Sequence, residues 1–478
     1  MDGPVHSRRL FLFAAGLLLA GAAFLRFHQI DRRPFHADEA VQAYQTWQLL
    51  RGDGYTYDPA DKHGPLLYYA TAGLAKISGW SPAALNETRL RSVTLIAGLG
   101  TMVLLLGAAG RLGRGPAFIG AALLAAAPLA VLYDTYFVQE AWFCFFTWAL
   151  FFAALRWVEK PSVGAALLAG VLAGLMQATK ETSVLHFAAL GVALLAIRPL
   201  QENIRRWRHL LAAGLAALAV YVIFYSAGFT RWAGVADGLR AYFNYAARAS
   251  GSAHDQPWSY YFSMLWPHSR EGVPWGEPLL LVAALAGAVF AFSPRTCGAQ
   301  RPLALFTLTL LLLYGAIPYK MPWLLLTPYV GLVLLAGVGV CESAKYLPAN
   351  LARVTPALLG VALMIECGSR DFAALGRYAN DARNPYVYQP TSSDFPRLVA
   401  VIAAVPAQQK IAVVSPDHAW PLPWYLRERT ATGYFAAPPA GLSTYDLVLL
   451  DSRLDASPPA GAIAFGLRPD VILWYLPR

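Results

Sequence analysis

His36-Ala37-Asp38-Glu39-Ala40 places a histidine and two adjacent carboxylates just beyond the first long apolar run, residues 10–28. That run is long enough to cross a hydrocarbon core of roughly 30 Å as helix, so the acids stand where the chain has just left a membrane. A polar, aromatic stretch running to Arg91 follows and holds them there. Ionisable groups are costly within a bilayer and mark function when kept at its edge. The motif therefore sets both the fold class, a polytopic membrane protein, and the face on which chemistry is expected.

Of the 478 residues, 57% are hydrophobic and 14% are charged, far from the balance of a soluble domain. Apolar runs recur at 92–109, 117–133, 141–157, 163–178, 184–197, 209–228, 278–292, 303–317, 323–340 and 351–366. With the first run they make about eleven spans, and Leu66–Ile77 reads as a shorter interfacial stretch. Basic residues alternate between connections as the positive-inside bias requires. Arg8, Arg9, Arg111, Arg114, Arg156, Lys160, Arg198, Arg205, Arg206, Arg208, Arg295, Arg301, Lys345 and Arg353 fall inside, so the acid motif and everything after Cys367 fall outside. This gives residues 1–367 as a transmembrane domain whose first outer loop spans about 31–91, and 368–478 as a small extracytoplasmic α/β domain. The first run, with Arg8-Arg9 before it and Ala20-Gly21-Ala22 at its end, also suits a cleaved signal.

The formal charge of +10 is topology, and no compact basic domain invites nucleic acid. Of the four cysteines, Cys144 lies in a span, Cys297 and Cys341 in inner loops and Cys367 at an outer edge, so no disulfide is expected. No CxxC or HExxH spacing appears, and the chain shows no internal repeat. His36, Asp38 and Glu39 would suit a divalent cation with help from elsewhere, but nothing in the sequence requires one.

Ala40–Leu50 reads as an amphipathic helix, with Val41, Tyr44, Trp47 and Leu50 on one face at headgroup level. A turn-rich segment leads to Lys62-His63-Gly64-Pro65-Leu66-Leu67-Tyr68-Tyr69. Glu140 opens a span, where it is either a helix N-terminal charge or a site acid. Lys180-Glu181-Thr182 closes another, and Pro318-Tyr319-Lys320-Met321-Pro322-Trp323 interrupts a later pair with two prolines. A broken helix at membrane depth is tolerated where it lines a polar cavity.

His-Ala-Asp-Glu-Ala after the first span, Lys-His-Gly-Pro-Leu-Leu-Tyr-Tyr in the same loop, Lys180-Glu181-Thr182 and the Pro318–Trp323 motif together resemble the GT-C-type membrane glycosyltransferases related to dolichyl-phosphate-mannose protein mannosyltransferases. Within them the chain most resembles the flippase-activity-associated branch of archaeal-type glycosylation clusters. The resemblance implies many transmembrane helices, catalytic carboxylates in the first outer loop and a sugar donor carried on a polyprenyl phosphate. Asp38 is then the base or a primary electrostatic group, with Glu39 orienting the acceptor or exchanging roles with it. Related enzymes often pair an arginine with an acid in the second outer loop; Tyr133–Glu140 has no arginine, which leaves the role of Glu140 open.

On this reading Lys180 contacts the donor phosphate, unless it pairs with Glu181, and Lys320 is a second phosphate cation, unless it snorkels. His254 and His268 are phosphate or hydroxyl contacts in the long loop 229–277. Trp258 and Tyr261 belong to a sugar-binding wall or an interfacial belt. His36, Lys62, His63 and Tyr319 complete the substrate-binding set. In the tail, Phe395–Val405 reads as helix, and Lys410–Ser415, Tyr445–Asp451 and Val471–Leu476 as strands. Asp417, His418 and Trp420 follow a strand end, where they recognise the acceptor or pack the tail onto the membrane domain. The expected activity is transfer of a hexosyl or pentosyl group to a protein, lipid or glycan acceptor at the outer face of the cytoplasmic membrane. A transporter or flippase of lipid-linked sugars is the rival, but it would favour mid-membrane charges and repeated halves. A non-catalytic subunit of an envelope glycan complex is a third reading.

Overall fold

The computed structural model describes all residues except 1–3, 29, 61, 198–202, 204, 249–250, 252–253, 295–297, 456 and 478, so Arg198, Arg295 and Cys297 lie outside the described residues. The membrane part is helical: α1 (Pro4–His28), α2 (Ala37–Arg51), α3 (Leu66–Ile77), α4 (Glu87–Gly107), α5 (Arg114–Ala126), α6 (Pro128–Asp134), α7 (Glu140–Glu159) and α8 (Val163–Thr179). Then follow α9 (Ser183–Leu195), α10 (Trp207–Tyr225), α11 (Ala233–Arg248), α12 (Pro278–Ala291), α13 (Gln300–Ala316), α14 (Leu326–Ala344) and α15 (Ala349–Phe372). Every apolar run of the sequence lies on one or two of these helices. Among the described residues, six helices are long and apolar enough to cross a membrane alone. The pair α5–α6, bent by 66°, makes a seventh. The bend has a local cause, since Pro128 lacks a backbone donor and holds Ala127 extended. Helices α8, α9 and α12 are apolar but shorter.

Contacts define two ends of the bundle. At one, Arg111 pairs with Glu159 at 3.0 Å and Asn203 donates to the Val158 carbonyl at 2.8 Å. The other end carries the acid motif. Between them, α12 and α14 cross closely, because a Cβ on Gly287 would overlap the Leu335 carbonyl and one on Gly339 the Ala283 carbonyl. Small residues permit such approach in lipid, where packing rather than water expulsion holds helices together.

The tail adds α16 (Phe395–Ala403) and a five-stranded sheet of β3 (Ile411–Val414), β4 (Thr432–Phe435), β5 (Leu447–Asp451), β6 (Ile463–Arg468) and β7 (Val471–Pro477). A separate hairpin, β1 (His268–Arg270) with β2 (Val273–Trp275), lies in the long loop. The order β4-β3-β5-β7-β6 has a parallel half and an antiparallel edge. The three expected strands are present. β4 and β6 escape a sequence reading because one is four half-buried residues and the other contains Gly466 beside a register shift.

The acid motif does not precede its helix; it forms the first turn. His36 is the N-cap of α2, its ring accepting from the Asp38 N–H, while the Glu39 side chain accepts from the His36 N–H. Glu39 is fully buried, and both of its oxygens are occupied. Oε1 accepts from Arg91 Nε at 2.7 Å and the Phe137 N–H at 2.9 Å. Oε2 accepts from Arg91 Nη2 at 2.7 Å and His36 N–H at 3.1 Å. Arg91, equally buried, also donates to the carbonyls of Ile30 at 2.8 Å and Arg33 at 2.8 Å. Burial pushes the Glu39 carboxyl up, but the charge and hydrogen bonds of Arg91 outweigh it and hold the group below the usual range. With two hydrogen bonds to each oxygen, Glu39 holds the first turn of α2 in place, where the sequence suggested an acceptor contact or a cation ligand.

Breaking a buried pair on one side strands the other charge, at about 3–5 kcal/mol. Arg91→Ala is therefore expected to lower the detergent-solubilised protein's thermal unfolding temperature markedly, and Glu39→Gln to do so more mildly. Because the Glu39 pKa is lowered on folding, its contribution is present above the ordinary carboxylate pKa and is lost as pH falls through the folded value. Unfolding scans at falling pH check this: Arg91→Ala should lose the acid-sensitive part of the wild-type curve.

Candidate active site

Side by side with buried Glu39, the Asp38 side chain is 49% exposed, with Oδ2 at 3.7 Å from His36 Nδ1. Around His36 stand Tyr136, its ring at 5.7 Å, and Trp323 at 6.4 Å. Trp323 in turn meets Tyr133 at 6.2 Å and Tyr388 at 6.3 Å. The Tyr388 hydroxyl lies 2.8 Å from His254 Nδ1, and His254 packs on Tyr319 at 5.2 Å. Its carbonyl accepts the Lys320 N–H at 3.1 Å. A continuous wall of rings thus runs from the Asp38 motif to the Pro318–Trp323 motif. The prolines act as expected: α13 stops at Ala316, and a short 3-10 turn restarts at Pro322.

Lys320 is buried, and its Nζ donates to the carbonyls of Gln256 at 3.1 Å and Ile317 at 2.5 Å. Burial lowers its pKa, and Asp255 opposes that. Tyr388 is raised by burial and then by the charge of Asp38, with Arg468 of the tail acting against them. The fields of Asp38 and of Arg468 therefore meet at one phenol.

Lys180 does not pair with Glu181. Its Nζ bonds to Glu140 of α7, both side chains being nearly inaccessible. Glu140 is thus more than a helix-end charge. Its neighbour Gln139 donates to Gln42 of α2 at 3.0 Å. Glu181 accepts instead from Tyr57 Oη at 2.9 Å and lies 2.9 Å from His63 Nδ1. Lys62 is half-buried, its Nζ over the Tyr55 ring at 5.9 Å.

Other expected site residues fare differently. His36 is occupied as a helix cap, so its part is to position Asp38. Tyr261 is buried and donates to the Met321 carbonyl at 3.2 Å, supporting the lysine loop from behind. Trp258 is 79% exposed, which fits an interfacial belt and not a wall of the chamber. His268 stays with its own hairpin, half-buried and 2.8 Å from the Trp266 carbonyl. Asp417 is taken up by Arg453 at 2.9 Å, Ser415 at 2.9 Å and Arg468. Burial opposes ionisation there, but these three donors hold its pKa well below the usual range. His418 is exposed near Tyr434, and Trp420 packs edge-on to Tyr44 of α2 at 5.8 Å. For Trp420 the packing alternative is the one seen. Sequence reading missed Arg91, Trp323 as a wall residue, Tyr388 and Arg468. Only Arg91 carried a signal, an arginine at the mouth of a span that needed a carboxylate.

Residues 62–225 match the family described as Dolichyl-phosphate-mannose-protein mannosyltransferase. No curated protein matches the chain. Among solved structures, ArnT from Cupriavidus metallidurans bound to undecaprenyl phosphate superposes with a TM-score of 0.66 at 14% identity, over 99% of this chain and 98% of that one. The oligosaccharyltransferase of Archaeoglobus fulgidus, tethered with an acceptor peptide, aligns with a TM-score of 0.53 at 12% identity, over 91% of this chain and 64% of that one. The flippase-associated branch is a finer assignment than these likenesses reach. With its helical bundle, acid-bearing first loop and sheet-containing tail, the chain has the fold of the GT-C-type membrane glycosyltransferases.

Proposed function

We propose that this protein transfers a sugar from a polyprenyl-phosphate donor to a protein, lipid or glycan acceptor on the outer face of the cytoplasmic membrane. The observation that carries the reading is a half-exposed Asp38 at one end of the ring wall that leads to Lys320, with the Glu140–Lys180 pair tied to the same helix through Gln139 and Gln42. Two solved relatives of the same fold, one holding undecaprenyl phosphate and one an acceptor peptide, support the two substrate classes.

The chemistry follows from the charges. An acceptor hydroxyl attacking the anomeric carbon must lose its proton, and Asp38 is the carboxylate with room to take it. Glu39 fixes the helix that carries Asp38. The departing phosphate gains negative charge, which fixed cations stabilise best in a site closed to water. Lys320 supplies one such charge, its Nζ held by the carbonyls of Gln256 and Ile317. Lys62, at the edge of the same loop as Asp38, supplies another. Lys180 enters already neutralised by Glu140, so its part is to orient oxygens by hydrogen bonding. Residues 368–478 form the extracytoplasmic unit beside which the acceptor docks, with Arg468 and Tyr388 at its edge.

A deletion strain restored with wild type or with Asp38→Asn, its lipid-linked sugars and glycans compared by mass spectrometry, tests the assignment. The Asn variant is expected to unfold at the wild-type temperature yet lower transfer by about 10²–10⁴-fold; full restoration would remove Asp38 from the chemistry. Lys320→Met is expected to raise the donor KM, whereas an unchanged donor KM and kcat would place the phosphate elsewhere.

A further inference from the structure

The turn Lys62-His63-Gly64 lies directly against the turn Lys180-Glu181. A Cβ on Gly64 would overlap the backbone of Ala178 and Thr179, so glycine is what lets the two turns meet. Across that contact Glu181, 2% exposed, has both oxygens engaged, Oε1 by Tyr57 at 2.9 Å and Oε2 by His63 Nδ1 at 2.9 Å. The Tyr245 ring stacks on His63 at 5.4 Å, with its hydroxyl 3.2 Å from Nδ1. A carboxylate oxygen accepts hydrogen bonds, so Nδ1 carries hydrogen and the opposite edge of the ring is left for chemistry. The His63 side chain is 28% exposed.

Charge balance adds the next step. A buried carboxylate needs a nearby positive partner, and the adjacent Lys180 is committed to Glu140. We infer that His63, its Nδ1 held by Glu181, is the proton donor to the departing lipid phosphate. This rests on the lipid-phosphate reading above. In the step, the bond from the anomeric carbon to the phosphate oxygen breaks with its electron pair on that oxygen, and the acceptor oxygen forms the new bond to carbon. Asp38 takes the acceptor's proton, His63 Nε2 gives one to the phosphate, and exchange with water resets both. Glu181 acts as a positioning residue. The charged and titratable groups packed around the pair are Lys62 on its own turn, Tyr57, Tyr225, Tyr242 and Tyr245 about the carboxylate, and the Lys180–Glu140 pair on the next turn.

The test uses the full-length protein in lipid vesicles and measures undecaprenyl phosphate affinity between about pH 5 and pH 8, the range of histidine switching. The ligand's own ionisation is common to every variant, so profiles are compared. Wild type and His63→Gln are expected to give different affinity profiles across this range. Glu181→Gln, which takes the charged partner away from Nδ1, is expected to move the wild-type profile toward that of His63→Gln. Tyr57→Phe removes a hydrogen bond from the same carboxylate but no charge, and should keep the wild-type profile. In transfer assays His63→Gln should lower kcat by about 10²-fold or more while changing KM less. Coincident wild-type and Glu181→Gln profiles, or a Tyr57→Phe shift as large as that of Glu181→Gln, would overturn the inference while leaving the lipid-donor reading intact. A wild type that neither binds undecaprenyl phosphate nor transfers sugar would bring down that reading and the inference with it.

Discussion

A carboxylate and a guanidinium, both shut away from water, decide where everything else at this end of the bundle can stand. Glu39 takes four hydrogen bonds, from Arg91 twice, from the Phe137 N–H and from the His36 N–H. Through them it ties the start of α2 to α4 and to the turn before α7. Successive side chains on a helix point about 100° apart, so anchoring Glu39 inward turns Asp38 aside, toward the rings of the chamber. Two neighbouring acids are thereby set apart, one saturated and structural, the other left half-exposed beside the ring wall.

The cations of the chamber are likewise handled in three ways. Lys180 is neutralised by a buried glutamate, Lys320 is solvated by backbone carbonyls, and Lys62 rests over an aromatic face. Burial lowers the Lys320 pKa, and an arriving anion would act against that, favouring the charged form as Asp255 does. A site arranged in this way resists filling by its own side chains. It also gives a phosphate more to gain there than at the exposed basic residues of the opposite end, where water and salt screen each charge.

Most of the fold was legible because each apolar run is long compared with a helix turn, and lipid leaves the backbone no alternative to helix. The bend at Pro128 was less so, since only the structure shows the two halves at 66°. The site was legible as a set of motifs but not as a set of partners. Lys180 and Glu181 are adjacent in sequence, yet they face different elements, and their partners Glu140 and His63 come from other turns. Asp38 and Glu39 looked interchangeable until burial separated them. The aromatic residues of the long loop divide in the same way, Tyr261 inward and Trp258 outward.

The tail shows how a region that looked like an acceptor reader acts on the site at one remove. Its loop clamps α2: Trp424 packs on Phe35 at 5.6 Å, Tyr425 Oη accepts the Phe35 N–H at 2.9 Å, and Trp47 donates to Glu428 at 3.1 Å. Thr391 adds a hydrogen bond to the Phe35 carbonyl at 2.7 Å. These contacts bracket the residue just before His36, so the tail and Arg91 grip the acid motif from opposite sides. Asp417, at the strand end where a ligand was expected, is spent on Arg453 and Arg468. What it presents to the chamber is therefore the guanidinium of Arg468, whose field reaches Tyr388 against that of Asp38.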